Sequence, residues 1–112
     1  MRYKRLSPGD LTRKVRIQRK AVTGKDALNA DIIDWVDVAT VWAEVIDLSG
    51  REFFASQQFN AETTTRVRIW YRPGIDATMR VLDGSRILPL VSPPIDPEGR
   101  KWEWVLMCKE AV

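Results

Sequence analysis

The chain has 112 residues, 45% hydrophobic and 29% charged, with a net charge of +3, which predicts one domain over residues 1–112 with a single small core. It has no histidine and one cysteine, Cys108, which excludes an internal disulfide, the usual Cys/His zinc centres, and Ser–His or Cys–His catalysis. No apolar run approaches the ~20 residues needed to cross a bilayer, and the basic start MRYKRLSPGDL lacks the apolar stretch of a secretory signal, so no membrane contact and a cytoplasmic origin are expected.

In chain order, residues 1–12 read as a flexible N-terminal arm, because Pro8-Gly9 interrupts any regular element. Residues 14–20 alternate, with Val15 and Ile17 on one face and Lys14, Arg16 and Gln18 on the other, the pattern of a strand with one wet face. Residues 21–31, AVTGKDALNAD, show no period and read as a long mobile loop. Residues 32–38 and 41–46 read as extended segments or one bent strand, with Val41, Ala43 and Val45 sharing a face. Charge is uneven along this half. Arg2, Lys4, Arg5, Arg13, Lys14, Arg16, Arg19 and Lys20 precede an acidic middle of Asp26, Asp31, Asp34, Asp37, Glu44 and Asp47. That polarity suits head-to-tail contact between copies.

A short α-helix is predicted over about residues 50–60. Ser49 and Glu52 have the three-residue spacing of a capping box, in which each side chain receives the other's backbone N–H. Residues 66–72 then alternate cleanly. Val67, Ile69 and Tyr71 are expected inward, and Arg66, Arg68, Trp70 and Arg72 outward. Pro73-Gly74 ends that strand, and Asp83-Gly84 between two short apolar runs reads as a type I′ hairpin. Residues 91–100 hold three prolines and Gly99 and read as a loop. The closing run 101–109 is an apolar strand with Cys108 buried in it. Six or seven short strands of this spacing predict a mainly β chain, a small antiparallel β-barrel carrying one helix.

The same residues resemble the head–tail joining family of tailed bacteriophages, the connector, head-closure or stopper proteins. The shared elements are Ile17-Gln18-Arg19 ending the first strand, the Trp42-Ala43 segment, and Leu48-Ser49-Gly50-Arg51-Glu52 opening the helix. Arg66-Val67-Arg68-Ile69, the turn from Tyr71 to Ile75, and the hairpin from Arg80 to Gly84 follow in order. One departure is Pro89 in the second hairpin arm, which lacks an N–H and suggests an edge or a bulge.

The resemblance implies a non-enzymatic structural protein with no catalytic residues and no cofactor. It implies a ring of identical subunits in the virion, between the portal or adaptor protein and a tail completion or tail-tube protein. Packaged DNA would pass through without sequence-specific binding, and assembly would take place in the bacterial cytoplasm. Candidate interface residues are Arg66, Arg68, Trp70 and Arg72 on one strand, with Lys25, Asp26, Asn29 and Asp31 in the 21–31 loop. Among the five tryptophans, Trp42, Trp102 and Trp104 suit the core or barrel rim. Trp70, between arginines, suits an exposed anchor.

Two other classes compete. An OB- or SH3-like nucleic-acid-binding barrel would stack bases on an exposed Trp flanked by Arg. A small hydrolase would need paired carboxylates, but Glu52 serves the helix cap, and Glu44 and Asp47 have no partner at an acid/base spacing.

Overall fold

The computed structural model describes residues 4–48 and 63–111. The predicted helix over residues 50–60 and its caps, Ser49 and Glu52, lie outside the described residues.

After a short 3-10 turn at Pro8–Asp10, six strands follow: β1 (Arg13–Lys25), β2 (Asp31–Asp47), β3 (Thr65–Trp70), β4 (Arg80–Asp83), β5 (Arg86–Pro89) and β6 (Glu103–Cys108). They form one antiparallel sheet in the order β5-β4-β1-β2-β3-β6. The sheet curls until its two ends meet. Leu90 bridges Cys108, and Val91, Lys109 and Ala111 donate their N–H groups to Met107, Pro89 and Ile87. Pro89 therefore sits at the end of an edge strand, where a missing donor costs the least. Its carbonyl helps to close the seam.

The interior is lined as the alternation predicts. Val15 and Ile17 of β1, Ala43 of β2, Val67 and Ile69 of β3, Val81 of β4, Leu88 of β5, and Leu106 and Cys108 of β6 form one cluster. Most of these are fully buried, and burial of roughly 25 cal/mol per Å² of apolar surface is the main term holding the curl.

Two expectations change in detail. Residues 21–31 are mostly strand. β1 runs to Lys25, β2 begins at Asp31, and the two pair out to Lys25↔Asp31. A bulge between Val22 and Gly24 breaks the period there, which is why the segment reads as loop in the sequence. The second hairpin turns one residue later than expected. Asp83 pairs with Arg86, leaving Gly84 and Ser85 as the turn. Of these only Gly84 has a positive φ, 62°, so the turn has glycine at its first central position, as in type II′ rather than I′.

The β1–β2 ribbon outruns its neighbours. β4 pairs with β1 only from Arg16 to Gln18, and β3 pairs with β2 only from Glu44 to Asp47. The molecule measures 57 × 27 × 25 Å, with a radius of gyration of 15.3 Å, against roughly 13 Å for a compact chain of this length.

Candidate functional site: a projecting hairpin and an aromatic cleft

The ribbon's end is a built turn. The Asp26 carboxylate accepts the N–H groups of Leu28 and Ala30 at 2.8 and 3.0 Å. The backbones of Asp26, Asn29 and Ala30 close the loop. Asn29 takes the left-handed conformation, φ 64°, which its short polar side chain tolerates better than most. Lys25 Nζ meets Asp31 at 2.7 Å across the strands. Leu28, at the apex, is 90% exposed. Val22 and Ile33, cross-strand partners just below it, are also exposed. Nearer the barrel, Trp35 is held between cations, with Arg80 at 4.2 Å and Lys20 at 5.5 Å from its ring.

The second surface lies where β3 parts from β2. Beyond Glu44↔Arg68 the two strands follow different partners, β1 and β6. The gap is a cleft of about 510 Å³, lined by Val41 and Trp42 of β2, by Trp70, Tyr71 and Arg72 at the end of β3, and by Pro8 and Leu11. Trp42 is 54% exposed. Trp70 meets Trp102 edge to face at 5.5 Å, and Arg5 covers Trp102 at 4.9 Å. Trp104 instead packs against the core and donates its indole N–H to the Arg72 carbonyl at 2.7 Å.

Of the arginine face expected on β3, Trp70 and Arg72 reach this cleft and Arg66 lies half-buried. Arg68 does not face solvent, being 5% exposed. It binds Glu103 of β6 and Glu44 of β2 at 2.9 and 3.3 Å, and the Lys4 carbonyl at 2.7 Å. Charge burial demands such partners. Burial also pushes the Glu103 carboxyl up, against a lowering by the Leu6 N–H that it accepts. Of the arm expected over residues 1–12, residues 4–12 thus lie against the barrel: Leu6 is fully buried, and its carbonyl accepts the Trp102 indole N–H at 3.1 Å.

The charge asymmetry of the sequence is partly satisfied within the chain. Antiparallel pairing of β1 with β2 sets Arg16 near Asp37 at 3.5 Å. The Gln18 amide donates to Asp37 at 2.8 Å, and this, more than Arg16, holds the Asp37 carboxyl below its usual range. At the opposite end of the barrel, Arg86 joins Asp47 and Glu110 at 2.7 and 2.6 Å. Among the described residues no group of three or more His, Cys, Asp or Glu is placed to hold a metal ion.

Sequence reasoning missed the exposure of Trp42 and the display of Leu28. The first was signalled by its cross-strand partner Lys14, a wet-face residue. The second was signalled by an Asp two residues before Leu28, where an Asx turn can form.

The chain resembles three known proteins along nearly its whole length. It is 29% identical to the head completion protein gp7 of Enterobacteria phage HK97, over 93% of this chain and 96% of that one. The solution structure of protein SF1141 from Shigella flexneri 2a superposes with a TM-score of 0.74 at 26% identity, covering 96% of this chain and 98% of that one. A chain of the native gene transfer agent virion shares the fold, with a TM-score of 0.59 at 16% identity, over 91% of this chain and 96% of that one. A model of the phage head completion proteins matches residues 6–111, which takes in every described strand, and the chain belongs to that family.

Proposed function

We propose that the chain is a structural subunit of a phage or prophage head–tail connector. Identical copies form a ring between the portal or adaptor protein and the tail completion or tail-tube protein. The ring continues the DNA channel, completes the head and lets the tail attach. Its place is the virion, after assembly in the bacterial cytoplasm. Membership of the head completion family across residues 6–111 carries this reading.

The geometry supports it. A subunit in a closed ring needs two different surfaces that meet head to tail, and the hairpin and the cleft are two such surfaces on one barrel. Lys25, Asp26, Asn29 and Asp31 belong to the first; Trp70 and Arg72, with Arg66 beside them, belong to the second. A channel that lets DNA slide should not grip phosphate, because such contacts are strong, and the burial of Arg68 agrees with weak gripping.

The test is omission. Particles assembled without this chain should yield DNA-filled heads that leak and carry no tails, with the chain supplied in trans restoring infectivity. Normal tailed, infectious particles without it would overturn the reading. The exposed Trp42 and Trp70 are what a nucleic-acid-binding barrel would use. Tight, steeply salt-dependent binding of a short single strand, measured by fluorescence anisotropy, would favour that alternative.

A further inference from the structure

We propose that the tip of the β1–β2 hairpin of one copy, led by Leu28, seats in the aromatic cleft between Trp42 and Trp70 of the next copy. The proposal deepens the connector reading by naming the contact that joins subunits, and it rests on that reading for its place in the virion.

The chain displays a knob that it does not use. Leu28 is 90% exposed, yet the Asp26 side chain fixes the turn that carries it. An apolar side chain held out in water forgoes the stabilisation that burial would give it. Val22 at 59% and Ile33 at 64% exposed, paired across the ribbon below the turn, add further uncovered apolar surface.

The chain also displays a socket. The cleft of about 510 Å³ is open to solvent and has room for an aliphatic side chain. Tryptophan and tyrosine walls suit aliphatic anchors. Alongside it, β2 upstream of Glu44 pairs with β1 on one side, and its other edge has no strand partner among the described residues, so incoming backbone can also find donors and acceptors there.

Knob and socket cannot meet within one molecule. Both lie along β2, and from Asp31 to Trp42 the strand rises about 3.4 Å per residue, which sets the turn roughly 35 Å from the cleft. A contact between different patches on two copies is heterologous, the kind that closes into rings.

Charge agrees in sign. Residues 23–34 carry Lys25 against Asp26, Asp31 and Asp34. The cleft carries Arg72 on its wall, and Lys14 is the cross-strand partner of Trp42. An acidic tip entering a basic-rimmed cleft is steered in, and a tip meeting a tip is repelled.

Disulfide trapping between two purified full-length chains tests this. One chain carries Leu28→Cys and the other Trp42→Cys. The native thiol at Cys108 is fully buried and its pKa is pushed up to about 12, so it stays silent. Under a glutathione redox buffer the mixed dimer should form faster, by roughly tenfold or more, than from Leu28→Cys mixed with Ala111→Cys, because docking raises the local concentration of the thiols. Ala111 is exposed, beside Ile87 and away from the cleft. Equal rates for the two mixtures would overturn the proposal.

Both cysteine positions are exposed, and circular dichroism of each chain before mixing checks its fold. Arg72→Cys on the other wall repeats the measurement if Trp42→Cys unfolds. The outcomes separate from the connector reading. Rapid trapping together with normal particles in the omission experiment keeps the contact and removes the role. Equal trapping rates together with tailless particles remove the contact alone.

Discussion

Arg68 donates from one guanidinium nitrogen, Nη2, to both carboxylate oxygens of Glu103, at 2.9 and 3.2 Å, and both residues are buried. The pair ties β3 to β6, and the same Glu103 carboxylate accepts the Leu6 N–H. One carboxylate thus fastens the N-terminal segment to the sheet. Removing it takes from a buried guanidinium the nearer of the two carboxylates it binds, which is a costly state. Glu103→Ala should lower stability by about 3–5 kcal/mol, read as a drop in the urea midpoint. Glu103→Gln, which keeps an acceptor, should cost less. Equal midpoints for Glu103→Ala and the parent chain would show that the pair contributes nothing net.

Gly84 stands at φ 62° at the first turn position of the β4–β5 hairpin, with open space where a Cβ would point. Substitution there therefore meets backbone strain alone. Gly84→Ala should cost about 1–2 kcal/mol, the penalty for an L-residue in the left-handed region. Gly9 has equally open surroundings and no positive φ, so Gly9→Ala is the control and should shift the denaturation midpoint far less. Matching losses at the two sites would mean that the turn conformation is not the cause.

The parts of the fold legible in the sequence are those where a short window contains the physics. Residues 66–72 alternate strictly, and the structure buries Val67 and Ile69. What stayed hidden depends on distant partners. Arg68 reads as solvent-facing because nothing near it in sequence is acidic, and the glutamates that bury it arrive from β2 and β6. The outer ribbon was hidden for a different reason. A bulge at Val22/Gly24 and a second at Ile17/Gln18 break the period. A half-exposed ribbon also needs no alternation, because neither of its faces is covered. The cleft was invisible for a topological reason, since it exists only because β2 and β3 diverge after Glu44↔Arg68.

Asp47 ties the acid limb of stability to the far end of the barrel. A hydrogen bond from Arg86 is the main cause holding its carboxyl below the usual range, with the Arg86 charge and a Thr65 hydroxyl adding to it. A carboxylate held low binds protons less readily in the folded chain than in the unfolded one. Its contribution is therefore fully present above the unfolded value of about 4 and is lost as pH falls through the lower folded value. The Asp47 side chain is 67% exposed, so the effect is small, at most about 1 kcal/mol. Asp47→Asn should melt slightly below the parent at neutral pH, and the two curves should converge in acid. A gap that does not narrow at all as the pH falls would assign the loss to packing instead.

Cys108 offers a probe of the seam that closes the barrel. It is fully buried, its Sγ lies 3.7 Å from the Leu106 carbonyl, and it bridges Leu90 where the sheet ends meet. Burial pushes its pKa up to about 12. Because the thiolate is the reactive form, a folded chain at mildly alkaline pH should resist a disulfide reagent such as dithionitrobenzoate, whereas the chain in guanidinium should react at once. Residual labelling in the folded state then reports opening. If β6 leaves only when the whole barrel unfolds, each ~1.4 kcal/mol lost elsewhere raises the labelling rate tenfold. Glu103→Ala should then label faster in proportion to its loss in urea. If labelling stays at the parent rate while the urea midpoint falls, β6 exposes its thiol through a local opening of the Leu90–Cys108 seam that does not require Arg68 to part from Glu103.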